Sequence, residues 1–477
     1  MRPLLTFALY CSCGLLAAQS APPAGPWTLG RAVEYATNNN LQVRGSAYSR
    51  DIAELNLGQA RRNRLPNVSG SSNVSYQLGR TVDPTSNSFA QQNILSQNIS
   101  VQGSQLLYGG GQIANGIRQG EVDYRAAQLD YRVAANDVAL QVANSFLSVV
   151  LLREQLTNAR QQLALTEEQL ANTEKLIRAG SVPGAERYDI LATRATNQST
   201  IVSLENQERQ ALLDLQLLLE LDPRPDFDLV APDLAVSEEE LFGDYETARV
   251  LEAARTTQPT IQAAQLREES ARLGEEVARA ALRPTVSLFA NLSTNYSNLA
   301  RRFTEGSTIF VPTEVQFMDN VTTIGFPQRT GTFDDVGYLD QLNENFGQLV
   351  GVSLNVPIYG QGRNRNGVAL ARVQRLQAEL QREQATNQLR SDVERALNDL
   401  RAARESYRAA GVALEAARVA YDNTDRRFRA GAGNSLELTT ASNRLEQART
   451  ELTRSKFQLL FNREVIQFYL GQGLSLD

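Results

Sequence analysis

The two halves of this chain carry the same pattern, and that duplication limits its fold more than any other feature. In the first half, apolar residues recur every seven positions at Val142, Val149, Leu156, Leu163, Leu170 and Ile177. The second half answers, at one constant spacing, with Val393, Leu400, Tyr407, Leu414, Tyr421 and Phe428. The same spacing carries Tyr108-Gly-Gly-Gly-Gln112 onto Tyr359-Gly-Gln-Gly-Arg363, and Arg178-Ala-Gly180 onto Arg429-Ala-Gly431. A shorter spacing, earlier in the chain, carries Pro66, Val68 and Ser69 onto Pro284, Val286 and Ser287, and Val43 onto Ile261.

A sustained seven-residue repeat marks coiled-coil packing, because 3.5-residue spacing keeps one seam facing a partner. The pattern predicts very long helices over about 111–178 and 362–429. At a rise of 1.5 Å per residue, each is roughly 100 Å long. No globular domain of this size buries such a helix along its whole length, so each needs a local partner. Return helices over about 185–221 and 435–468 supply it, the second with its own seam of Leu438, Leu445, Leu452 and Leu459. Gly180 and Gly431 stand where a left-handed helix cap is expected.

The duplication predicts a first repeat over 21–245 and a second over 246–477, with the same order of parts. A pair of shorter helices (about 28–62 and 246–282) leads to a strand (about 66–79 and 284–297). A polar loop, a second strand (about 96–107 and 347–358), the long helix and the return helix follow. The loop over 299–346 is much longer than its counterpart, and Val182-Pro-Gly184 adds residues after the first tip glycine.

The predicted strands alternate in polarity. Val68, Val74, Tyr76 and Leu78 share one face with Gly70 and Ser72, while Ser69, Ser71, Asn73, Ser75 and Gln77 share the other. Val286, Leu288, Ala290 and Leu292, and then Val350, Val352, Leu354 and Val356, repeat the pattern. Ile99, Val101 and Leu107 form its weakest version. A single strand of this kind fits a soluble sheet with one solvated side. It also fits a barrel wall between lipid and water, whose strands need about 9–11 residues. Four strands flanked by helices too long to cover them favour the barrel. Tyr108 and Tyr359 close strands where an interfacial aromatic belongs. Four strands cannot close a barrel, and lipid tolerates no open edge, so several copies must share one. Two copies give eight strands around an interior filled by side chains, and three give twelve, enough for an aqueous channel.

The termini and composition narrow the function. Residues 1–20 have the layout of a cleavable signal peptide: Arg2, an apolar run from Leu4 to Leu16, then small residues at Ala17, Ala18, Ser20 and Ala21. Both cysteines, Cys11 and Cys13, lie inside it. No later stretch is read as a membrane-spanning helix. With no histidine anywhere, a Ser-His-Asp triad is excluded, and without cysteine in the mature chain so are a Cys nucleophile and the usual zinc or copper ligands. The formal charge of −6 argues against nucleic acid as a partner. Gly109-Gly-Gly111 follows a strand and opens a helix as a phosphate loop would, but without its Lys-Ser/Thr pair it reads as a junction turn. No cofactor and no metal site is expected.

Over essentially the whole mature chain these residues resemble the TolC-like outer-membrane efflux protein family. Trp27-Thr-Leu29, Ala32-Val33, Ala36 and Asn40 resemble its first helix. Gln105-Leu-Leu-Tyr-Gly-Gly110 and Val356-Pro-Ile-Tyr-Gly360 resemble its strand-to-helix junction, at Tyr108 with Gly109 and Tyr359 with Gly360. Arg178, Gly180, Arg429 and Gly431 resemble its tip turns. The resemblance implies a mainly α-helical fold with a small β part. Coiled-coil helices form a periplasmic α-barrel, and four strands per chain join a shared outer-membrane β-barrel. It implies a homotrimer in outer-membrane lipid, tips that dock on a periplasmic adaptor of an inner-membrane pump, and a passive duct that is not an enzyme. It places a constriction at Glu437 and Thr440. Thr440 stands where the family has a second acid, and Gly433 where it has a basic residue. Three carboxylates around a narrow axis would concentrate cations; a solvated acid beside a heptad position reads equally well from the residues alone. Efflux of drugs is the leading function, with the duct of a type I protein secretion system as the alternative. An exported structural coiled coil accounts for the helices but leaves the strands unexplained, and a carboxylate-dependent hydrolase has no acid pair in a recognisable pocket.

Overall fold

A computed structural model describes residues 25–472 apart from 83–86, 88, 91–92, 224–226, 232–235, 237–242, 244, 318–319 and 431. The expected signal peptide, with its two cysteines, and the tip residue Gly431 therefore lie outside the described residues. In chain order the elements are α1 (Leu29–Asn39), α2 (Leu41–Arg62), β1 (Asn67–Gln77), β2 (Thr81–Val82), β3 (Phe89–Ala90), β4 (Ile94–Tyr108), α3 (Gln112–Arg178) and α4 (Glu186–Leu218). Then come α5 (Thr247–Thr257), α6 (Pro259–Ala280), β5 (Thr285–Ser297), β6 (Arg301–Phe317), β7 (Asn320–Asp335), α7 (Tyr338–Glu344), β8 (Gly347–Asn355), α8 (Arg363–Arg429) and α9 (Ser435–Tyr469). Both long helices contain 67 residues.

The chain divides into two compact units. The first takes in the chain through Ile52, Arg125–Leu266 and everything from Leu380 on. Its core is duplicated side chain by side chain. Ala32, Ala36 and Val43 pack with Val138, Val142, Phe146 and Val149 in one cluster. The matching cluster joins Val250, Ala254 and Ile261 to Leu389, Val393, Leu397 and Leu400. A third cluster toward the tip joins Tyr421 and Phe428 of α8 to Leu438 and Leu445 of α9. The heptads are thus seams at Val142, Val149 and Leu156 of α3 and at Val393, Leu400, Tyr421 and Phe428 of α8, while Leu163, Leu170 and Ile177, expected to continue the first, are only half-buried.

Toward its C-terminal end, α3 changes character. Gln162, Thr166, Gln169 and Thr173, spaced alternately four and three apart, are buried in the seam. The Gln162 amide donates to Ser442 Oγ (2.6 Å), and that of Gln169 to the Tyr421 hydroxyl (3.1 Å). Thr166 Oγ1 accepts from Asn197 Nδ2 (2.9 Å). By length and composition alone α3 also contains one stretch able to cross a membrane, where the sequence reading expected none. Val138, Val142, Phe146, Val149 and Val150 are buried core residues, and such a run of core positions accounts for that apolarity.

Local chemistry fixes the helix ends. Thr28 Oγ1 caps α1 by accepting from Arg31 N, and Asn434 Oδ1 caps α9 by accepting from Glu437 N (2.8 Å). Pro259 opens α6, where its missing N–H loses nothing. Gly180, at φ +73°, ends α3. Its N–H reaches Ile177 O and the Ser181 N–H reaches Leu176 O, the paired bonds of a Schellman cap.

The second unit (Ala53–Tyr124 and Arg267–Glu379) holds the strands. Four form one antiparallel sheet in the order β1-β4-β5-β8, and β6 pairs with β7 in a separate two-stranded ribbon. That ribbon corrects the reading of 299–346 as an irregular polar loop. Its β-branched and aromatic residues are strand formers, but they fall on both faces, Ile309 beside Phe310 and Val311 beside Pro312, so no polar-apolar alternation reveals them. Short α7 then links the ribbon to β8. Gln341 of α7 accepts from Ser297 N (2.9 Å) and donates to Ser297 O (3.0 Å).

Candidate functional site

The sheet register gathers the alternating residues onto two coherent faces. Val68, Val74 and Tyr76 of β1 lie on the same face as Leu95, Ile99 and Val101 of β4. Across β5 that face continues with Leu292, Ala290, Leu288 and Val286, and across β8 with Val350, Val352 and Leu354. The opposite face carries Ser71 against Ser100 and Ser75 against Ser96, each pair joined Oγ to Oγ at 2.9 Å. Phe289 is an exception on this face, lying across Gly351, where a Cβ would come within 2.5 Å of its ring. Much of the apolar face is exposed in the single chain, Val352 at 64%. Both outer strands, β1 and β8, leave an edge unpaired among the described residues. Tyr76 and Tyr296 stand toward one end of the sheet, and Tyr296 packs edge-on against Tyr338 at 5.0 Å. Tyr108 closes β4 at the other end. An apolar band edged by aromatics, backed by a polar face, is the pattern of a strand wall between lipid and water.

The strand-to-helix junction explains its glycines. Gly110 and Gly111 have φ of +62° and +95°, and a Cβ on Gly110 would sit 2.7 Å from Arg283 Cβ. The Arg283 guanidinium donates to Gly110 O (2.6 Å). In the second copy Gln361 (φ +54°) and Gly362 (φ +77°) take the matching left-handed positions. The conformational demand therefore falls one and two residues beyond Gly109 and Gly360, the positions singled out from sequence. Tyr359 lies past the end of β8 and is 86% exposed.

At the helical tip, Glu437 sits in the first turn of α9, its side chain about half exposed, with Arg427 Nη2 3.7 Å from its carboxylate. Thr440 turns its hydroxyl back to Leu436 O (2.7 Å). Arg429 pairs with Asp425 (2.8 Å) and with Glu168 of α3 (3.2 Å), and these acids, Asp425 foremost, hold its guanidinium more firmly charged. Arg178 is exposed at the end of α3. Sequence reading missed three neighbours of this site. Glu186 Oε2 accepts from Ser435 N (2.8 Å), Asp189 Oδ2 accepts from Ser435 Oγ (3.3 Å), and buried Ser435 thereby ties the start of α9 to the start of α4. The signal for them was the pair of acids in the first turn of α4, where the helix dipole favours negative charge. Arg427 provides the basic partner that Gly433 lacks.

A family model for the outer membrane efflux protein matches residues 32–220 and 250–472, once in each half of the chain. The chain belongs to the outer membrane efflux protein family. No curated protein matches it. Among solved structures, CusC, described as undergoing conformational changes on folding and transmembrane channel formation, superposes with a TM-score of 0.75 at 18% identity, covering 95% of this chain and 96% of that one. VceC of Vibrio cholerae gives 0.71 at 14% identity, covering 94% and 97%. The open state of MtrE from Neisseria gonorrhoeae gives 0.71 at 18% identity, covering 94% and 90%. At such identities these likenesses establish the fold. As a family member the chain is an outer-membrane channel protein whose helical part stands in the periplasm, and its four strands contribute to a shared β-barrel.

Proposed function

We propose that three copies of this chain close one twelve-stranded barrel and serve as the passive exit duct of a tripartite efflux pump that expels drugs and other toxic small molecules. The observation that carries the proposal is the four-stranded sheet with one apolar face and two unpaired edges. Lipid cannot satisfy the backbone groups of those edges, so β1 of one copy must meet β8 of the next. Twelve strands leave room for water, and eight do not. In this reading 21–245 and 246–477 are the two repeats of each subunit. The tips, with Arg178, Gly180, Arg429 and Gly431, meet a periplasmic adaptor, and Glu437 forms an acidic ring at the constriction with Thr440 beside it. The driving energy comes from the pump.

Fractionation and planar-bilayer recording test this directly. The protein is expected in the outer membrane as a multimer that conducts ions, and a soluble monomer without conductance would defeat the proposal. Glu437→Gln is expected to lower cation selectivity and block by polyvalent cations. Unchanged selectivity and block would remove Glu437 from the constriction.

A further inference from the structure

The β6–β7 ribbon has an apolar surface that the single chain does not cover. Ile309, Val311 and Val315 share one face with Ile324 and Phe326, and Phe310, Pro312, Val321 and Pro327 share the other. Of these, Ile309, Phe310, Val321, Ile324 and Phe326 are all exposed. The charges lie mostly at its base and are satisfied there: Arg301 pairs with Asp335, Arg302 with Glu344 and Arg329 with Glu305. Between Glu305 and Arg329 the sequence holds only Glu314 and Asp319 as charged residues. A lone two-stranded ribbon is marginal in water, and an apolar one invites association.

Its anchorage points to what covers it. The ribbon leaves the end of β5, Val336 N bonds back to Ala300 O (3.3 Å), and α7 leads directly into β8, the outer strand that the trimeric reading pairs with the next copy. The base of each ribbon is therefore continuous with the boundary to the next copy. With a 17-residue β6, the ribbon reaches about 55 Å at ~3.3 Å per residue. Copies fixed around one ring meet at the high effective concentration of tethered partners. Pro312 and Pro327 blunt the ribbon's edges against strand addition, which leaves face packing. We propose, building on the trimeric-channel reading above, that the Ile309/Val311/Ile324/Phe326 face packs against the ribbons of sister subunits. The three ribbons then gather over the barrel mouth and narrow the exit.

The test places the photo-crosslinking residue p-benzoylphenylalanine at Phe326, an aromatic-for-aromatic exchange that spares the fold, with Leu288 on the lipid face of the inner strand β5 as control. Irradiating the outer membranes is expected to shift the single-chain band to covalent two- and three-chain bands for the Phe326 site alone. Replacing 304–332 by a short Gly-Ser turn is expected to raise single-channel conductance. Adducts at position 326 to lipid or to a foreign protein, or no adduct, would overturn the inference, provided the wild type forms conducting trimers. A wild type that neither assembles nor conducts would instead defeat the parent proposal.

Discussion

The two faces of the sheet can be separated by placing one charge on each. Val352 and Ser353 are neighbours near the middle of β8, opposite Leu288 and Ser287 of β5. Period-2 alternation sends Val352 to the apolar face and Ser353 to the polar one. An arginine on the lipid face near the midplane costs about 2–4 kcal/mol per chain, whereas lumen positions tolerate it. In the proposed trimer the three copies of Val352→Arg add to about 6–12 kcal/mol. Ser353→Arg, facing water, is expected to stay within about 0.5 kcal/mol per chain. Since about 1.4 kcal/mol is a factor of ten in an equilibrium constant, even the lower bound removes most assembled channel. The assay is the yield of gel-stable multimer from outer membranes, with its denaturant midpoint. Val352→Arg should abolish the multimer, while Ser353→Arg keeps it and lowers cation conductance. Equal losses, or a larger loss from Ser353→Arg, would refute the assignment of lipid and lumen faces.

Phe146 is fully buried in the first core cluster, so Phe146→Ala should destabilise the helical unit by about 3–5 kcal/mol in denaturant unfolding. Glu275 is held below the usual carboxylate value of 4.5, first by the Arg279 hydrogen bond and then by Arg375 of α8. A lowered folded-state pKa means that its stabilisation is present above the ordinary value and is lost as pH falls through and below it. Glu275→Gln should therefore flatten the acid limb of the stability profile, and an unchanged limb would count against the link. Arg427→Ala removes a half-exposed ion pair worth about 1 kcal/mol or less. The melting temperature should hardly move, while cation selectivity in bilayers should rise because the Glu437 charge is no longer offset.

The parts of the fold that were legible in sequence were those stated by local periodicity. Val142, Val149, Val393 and Leu400 mark the seams because one helix face repeats every two turns, and the strands declare themselves by strict alternation. What stayed hidden depends on partners distant in the chain. Gln162, Thr166, Gln169 and Thr173 look like a solvated face until Ser442, Tyr421 and Asn197 are brought to them. Arg427 is paired with Glu437 across a turn that no spacing rule spans. Gln361 adopts a left-handed backbone that its residue type does not advertise. The ribbon was missed because apolar residues fall on both of its faces, Ile309 beside Phe310 and Val311 beside Pro312, so no polar-apolar alternation marks it.

The polar stretch of α3 also sets how this helix can be parted from its neighbours. Hydrocarbon that is peeled away must be wetted against a steep gradient, and it does not separate by degrees. Amide and hydroxyl pairs such as Gln162 with Ser442 give up only about 0.5–1.5 kcal/mol each when water takes the vacant place. Gln162 Oε1 and Thr173 Oγ1 are already buried without a partner, so an entering water would find an acceptor waiting. The half of α3 nearest Gly180 can thus be unzipped one rung at a time, while the half built on Val142, Phe146 and Val149 stays fast.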